Sequence, residues 1–187
     1  MHLKGLLFVA AGFGIAHAAA VPAVNATLVL LDETVYEDGT LQVWGGKESG
    51  WNAAPSGKTA QAAAQAGVQA STQACGTNDV HCSEYNLTSY SACKELIDKI
   101  RGSPDQPIHP DGMALYWVNK QGSICQIAWY KKVSGLKYAY VIPAAWKTLD
   151  RCSSSGLVSG YATNVNLNGV CNVQCLSSRA SCFNNQD

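Results

Sequence analysis

The 187-residue chain carries no excess charge, since thirteen lysines and arginines balance thirteen aspartates and glutamates. A balanced chain lacks the basic footprint that neutralises a phosphate backbone, so nucleic acid is not an expected partner. Apolar runs long enough to cross a bilayer are missing too, and no stable membrane insertion is expected. Histidine is scarce, and of the eight cysteines only Cys171 and Cys175 stand at the short spacing typical of zinc ligands. No metal and no cofactor is therefore expected. Hydrolase signatures are thin: "GKESG" and "GLVSG" miss the spacing of a nucleophile elbow, and no His-Glu-x-x-His helix occurs.

The start, "MHLKGLLFVAAGFGIAHAAAVPAV", places Lys4 before an apolar run from Gly5 to Ala16 that gives way to small residues. This is the pattern of a secretory signal peptide, residues 1–20, with cleavage expected after Ala18 or Ala20. The end, "SCFNNQD", has neither a hydrophobic tail nor a retention tetrapeptide, so a secreted, extracellular protein is expected. In that compartment thiols are driven to disulfides. Cys75, Cys82, Cys93, Cys125, Cys152, Cys171, Cys175 and Cys182 then read as bridge partners, and spacing alone does not select one of the 105 pairings.

Composition divides the remainder into a cysteine-free extension (21–74), a cysteine-rich domain (75–182) and a tail (183–187). In the extension, "TVYEDGTLQVW" sets Asp38-Gly39 between β-favouring residues and predicts a hairpin. The alanine- and glutamine-rich "GKTAQAAAQAGVQAST" reads as a surface helix or a connector. In the cysteine-rich part, Leu87, Tyr90, Cys93, Leu96, Ile97 and Ile100 recur at the spacing of one helical face that stops at Gly102. "MALYWVN" and "ICQIAWY" read as antiparallel strands, and "IPAAWKTLDRC" as a helix with its proline in the first turn. "GYATNVNLNG" reads as a strand and "VCNVQCLSSRASC" as a short cross-linked coda. This order predicts an α+β fold, a two-layer sandwich of helices on a small antiparallel sheet.

Side chains with chemistry are few. His109 and Asp111 in "PIHPDG", with Asp105 before them, are the best acid–base pair, although a rigid solvated turn is the favoured reading. Asp79 and Glu84 are a second carboxylate pair of undefined separation. Lys131, Lys132, Lys137, Lys147 and Arg151 form a basic sector, read as a solvated face or a partner-binding patch. Trp117 and Trp129 offer stacking surfaces for sugar rings if they are exposed in one row, and core packing otherwise. Asn25 in "NAT" and Asn86 in "NLT" are glycosylation sequons.

"CGTNDVHCSEYNLTSYSACKELIDKI", the tryptophan after a cysteine in "CQIAW" and the terminal "NVNLNGVCNVQCLSSRASC" together resemble the WD-like domain family of fungal secreted proteins. The likeness runs from Cys75 to Cys182. One departure is that Cys125 stands alone after Ile124, where the family pattern implies two adjacent cysteines. More distantly, the order of elements is similar to that of fungal killer toxins and necrosis-inducing extracellular effectors. The resemblance itself carries no defined activity; together with the signal peptide, the cysteines and the thin catalytic signatures, the expectation is a secreted, non-catalytic, effector-like or toxin-like protein acting on an extracellular target, a host or competitor protein or a cell-wall polysaccharide. A carbohydrate-binding module is the alternative, and a small secreted hydrolase the least favoured.

Overall fold

The computed structural model describes residues 28–46 and 75–179. The signal-peptide reading, Asn25, the alanine- and glutamine-rich segment, Cys182 and the tail all lie outside the described residues.

The hairpin signal at Asp38-Gly39 is realised as β1 (Val29–Tyr36) and β2 (Gly39–Gly45), joined by Glu37 and Asp38. β3 (Asp79–Cys82) and the short β4 (Thr88–Ser89) lead into α1 (Tyr90–Arg101). Cys93, Leu96, Ile97 and Ile100 are fully buried on one face of α1, as their spacing requires, while Leu87 precedes the helix and is exposed. Next come β5 (Gly112–Asn119) and β6 (Ile124–Trp129), then α2 (Tyr138–Cys152). α2 starts five residues before Pro143, so the proline stands inside the helix on an exposed position and not in its first turn. The small strands β7 (Ser153–Ser154) and β8 (Leu157–Val158) precede the long pair β9 (Gly160–Leu167) and β10 (Val170–Ser177).

The expected two-layer helix sandwich on a small sheet is overturned. The molecule is mostly β: β1-β2-β5-β6-β10-β9-β3 form one seven-stranded antiparallel sheet, and β4-β8-β7 a three-stranded one. Two helices of 12 and 15 residues accompany ten strands among the described residues. Two physical facts enlarge the sheet. β2 pairs with β5 along its whole length, which adds the hairpin to the sheet. The supposed coda is β10, a strand between β6 and β9, because Asn168 and Gly169 (φ 50° and 86°) form the tight turn that Asn-Gly favours and fold the chain back on β9.

One core joins the sheet and both helices. Leu41 and Val43 of β2, Leu115 and Trp117 of β5 and Ile127 and Trp129 of β6 pack with Leu96, Ile97 and Ile100 of α1 and Val141, Ala145 and Leu149 of α2. Each such aliphatic side chain contributes about 1.5–3 kcal/mol by leaving water. Three disulfides tie this arrangement together. Cys93–Cys125 links α1 to β6, Cys82–Cys152 links β3 to the end of α2, and Cys75–Cys171 links the start of the bridged region to β10. Cys175 is disulfide-bonded as well.

Candidate functional site

The register of β2 on β5 places Gly39 opposite Asn119, so the β1–β2 turn lies against the β5–β6 turn. The Lys120 backbone N–H donates to the Asp38 carbonyl at 3.2 Å across that contact. Only glycine fits at residue 39, where a Cβ would come within 2.5 Å of the Val118 carbonyl and 2.6 Å of the Trp117 ring. Beside the two turns, Glu95 and Lys99 project from one side of α1, four residues apart. The three segments enclose a cavity of about 550 Å³ lined by Tyr36, Glu37, Asp38, Glu95, Lys99, Lys120 and Gln121.

Three of the charged groups that line it, Asp38, Glu95 and Lys99, are held by partners. Lys99 Nζ donates to both Asp38 carboxylate oxygens at 2.8 Å and lies 4.6 Å from the Tyr36 ring centroid and 5.4 Å from that of Trp117. The ammonium is thus fixed by a carboxylate and by the faces of two rings. Its hydrogen bond is the chief reason the Asp38 carboxyl lies below its ordinary value of 3.8. Glu95 Oε2 accepts from Trp117 Nε1 at 3.1 Å and from Asn119 Nδ2 at 3.3 Å. Trp117, 0% exposed, anchors Glu95 from within the core. The result is an open cavity with donors and acceptors interspersed, which suits an uncharged polar ligand better than an ion of either sign. Among the described residues no group of three His, Cys, Asp or Glu side chains is placed to hold a metal.

The residues singled out in the sequence lie elsewhere, Trp117 excepted. Trp117 and Trp129 are buried core residues and present no exposed row. His109 and Asp111 do adjoin, but His109 Nδ1 accepts the Asp111 backbone N–H at 3.2 Å, and the Asp111 carboxylate pairs with Lys132. Asp105 pairs with Lys137 at 3.1 Å. Asp79 accepts from Asn164 Nδ2 at 2.7 Å and Thr77 Oγ1 at 2.9 Å, bonds that hold its carboxyl below 3.8, while Glu84 is exposed. Lys147 donates to the Thr77 carbonyl at 3.0 Å. Lys132 and Lys137 therefore fasten the 130–137 loop to the 105–111 loop, Lys147 serves the start of β3, and Lys131 is exposed. Asn86 lies in a left-handed turn (φ 54°) ahead of α1, whose N-cap is Ser89. Thr88 of its sequon is buried, with Oγ1 donating to the Ile124 carbonyl.

Glu95, Lys99 and Tyr36 are not singled out by the sequence. The one signal was the i,i+4 Glu95/Lys99 pair flanking the buried stripe of α1, a pattern common on any solvated helix.

Cys171, which the zinc reading pairs with Cys175, is bridged to Cys75. No helix among the described residues is long and apolar enough to cross a membrane. No curated protein and no solved structure matches the chain. A family model, Fungal WD-like, matches residues 55–183, well over half of the sequence. Four of the seven cavity-lining residues fall inside the match, and the three from the hairpin turn precede it. The disulfide-bonded, mostly β body with its cavity is thus carried by a chain that belongs to the fungal WD-like family.

Proposed function

We propose that this protein is secreted and acts outside the cell as a non-catalytic binding protein, and that the cavity between the hairpin turn, α1 and the β5–β6 turn is its site. The disulfides support passage through an oxidising pathway. The ligand class is a neutral polyhydroxylated one, a cell-wall saccharide. The observation that carries this reading is the pre-oriented set of Asp38, Lys99 and Glu95 in a cavity of about 550 Å³ beside Tyr36, within the size range of small-ligand sites. Hydroxyl groups donate to fixed carboxylates and accept from fixed ammonium and amide groups, and Tyr36 supplies an apolar face. An effector-like action through the basic sector has less support, because Lys132, Lys137 and Lys147 are already engaged within the chain.

Titration calorimetry of the secreted protein with neutral β-linked oligosaccharides of glucose and of N-acetylglucosamine tests this. Binding of about −4 to −7 kcal/mol is expected for one of them, weakened about tenfold or more by Lys99→Met or Glu95→Gln. Binding that both variants leave intact would place the site elsewhere. No heat with either sugar series would sink the saccharide reading.

A further inference from the structure

Three of the exposed large apolar side chains among the described residues gather around one turn. Tyr85 (52% exposed) and Leu87 (46%) stand on either side of Asn86, and Leu157 (44%) lies on the neighbouring strand opposite Ser89. The two segments run side by side: Ser83 N–H donates to the Ser159 carbonyl at 3.0 Å, and Ser159 Oγ to the Tyr85 carbonyl at 2.6 Å. Strand alternation turns Thr88 and Val158 inward, where both are buried, and sets Leu87 and Leu157 on the outward side. A single exposed leucine needs no explanation, whereas an apolar group around one turn marks a surface that something covers.

The turn is built to present one residue. Asn86 has a left-handed backbone (φ 54°), a conformation that asparagine tolerates better than most residues. Its carbonyl accepts from both the Ser178 N–H at 2.9 Å and the Ser178 Oγ at 3.0 Å, which fastens the turn to the end of β10. On the near side, Tyr85 N–H donates to Ser83 Oγ at 3.1 Å.

We propose that Asn86 carries an N-linked glycan and that the first sugars of this glycan lie over Tyr85 and Leu87. The inference rests on the secretory reading above. Asn86-Leu87-Thr88 supplies the acceptor amide, a middle residue other than proline and a hydroxyl two positions on. A glycan is bulky and solubilising and belongs on a surface turn. The C–H face of a pyranose ring covers a tyrosine ring while its hydroxyls stay in water. In the transfer, the Asn86 side-chain nitrogen attacks the anomeric carbon of a lipid-linked oligosaccharide diphosphate. The carbon–nitrogen bond forms as the bond from that carbon to the diphosphate oxygen breaks. The lipid diphosphate leaves with the electron pair, and the proton lost from nitrogen passes to solvent. The fold also orders this step in time. Thr88 is 6% exposed, with Oγ1 donating to the Ile124 carbonyl 36 residues downstream, so the sequon hydroxyl is reachable only before β6 docks.

The full chain expressed in a yeast host and recovered from the medium supplies the test. Peptide mass spectrometry should find the Asn86 peptide only after digestion with an amide-cleaving glycosidase in heavy-oxygen water, with one heavy oxygen at that residue. Removing the glycan from the folded protein should raise hydroxyl-radical oxidation of Tyr85 several-fold and leave exposed Tyr140 of α2 unchanged. Asn86→Gln, compared with wild type, gives the same contrast without enzymatic removal. A bare Asn86 in protein from the medium would overturn the site while leaving secretion intact. Protein retained in the cell with a bare Asn86 would remove the secretory reading as well. A glycan whose loss leaves Tyr85 oxidation unchanged, by both routes, would overturn its placement over the apolar group.

Discussion

The β1–β2 hairpin and the bridged body from Cys75 onward belong to one sheet but are secured by different means. In the body, disulfides fasten pieces that the ladder does not hold by itself: a helix to a central strand at Cys93–Cys125, an edge strand to a helix at Cys82–Cys152, and the incoming chain to β10 at Cys75–Cys171. Bridges closing loops of 32 to 96 residues are each worth about 3–5 kcal/mol. The hairpin has no cysteine. Its inner strand β2 is held by a full ladder to β5 and by Leu41 and Val43 in the common core, while β1 leaves Val29, Leu30 and Val35 exposed. Covalent staples are thus found where connectivity is weak, and strand pairing suffices where it is continuous. The candidate cavity lies on the seam between the two, so its shape depends on both kinds of attachment.

Breaking the seam itself should have the largest effect. Trp117→Ala removes a fully buried ring that Gly39 crosses and Glu95 bonds to, and should cost about 3–5 kcal/mol in denaturant unfolding while abolishing ligand binding. Replacing Cys93 and Cys125 together by alanine should cost about 3–4 kcal/mol, read as a lower unfolding midpoint. Leu41→Ala sharpens the contrast. If the unstapled hairpin is energetically part of the body, a single cooperative transition should shift by about 2–5 kcal/mol. A separate early transition, with the body's midpoint unchanged, would show that it is not.

Smaller effects concern charge. Lys99→Met should change stability by only about 1 kcal/mol, because its partner Asp38 is open to solvent, yet it should weaken binding. The carboxyls of Asp38 and Asp79 both lie below 3.8 in the folded protein, Asp38 chiefly through Lys99 and Asp79 through Asn164. Their contribution is therefore complete above about pH 4 and is lost only as pH falls through the lowered folded values. An unfolding series in pH should show Asp38→Asn and Asp79→Asn reducing stability at neutral pH, with the difference from wild type closing below about pH 4.

Much of the local structure was legible. The apolar stripe of α1, the Asp38-Gly39 turn and the aromatic strands β5 and β6 each follow from short-range periodicity or turn chemistry, which few contacts elsewhere can override. β10 was missed although Asn168-Gly169 announces a hairpin, because its alternating sequence holds polar and cysteine residues that look like a loop until Gln174 finds the Val141 carbonyl at 2.8 Å and Asn172 ties β10 to Tyr130 and Lys131. The site was illegible for a different reason: its members lie up to 85 residues apart in the chain, and nothing local distinguishes Glu95 or Lys99 from other charges on a solvated helix.

By itself, then, the sequence determined the family, the helical face of α1, the hairpin and the expectation of disulfides, all of which depend on residue type and near-neighbour spacing. Tertiary structure alone decided that the sheet has seven strands, which cysteines pair, that Trp117 and Trp129 are core, and that Asp38, Glu95 and Lys99 meet. Those outcomes depend on strand order and register, which bring distant residues together through long-range pairing that a local pattern does not encode.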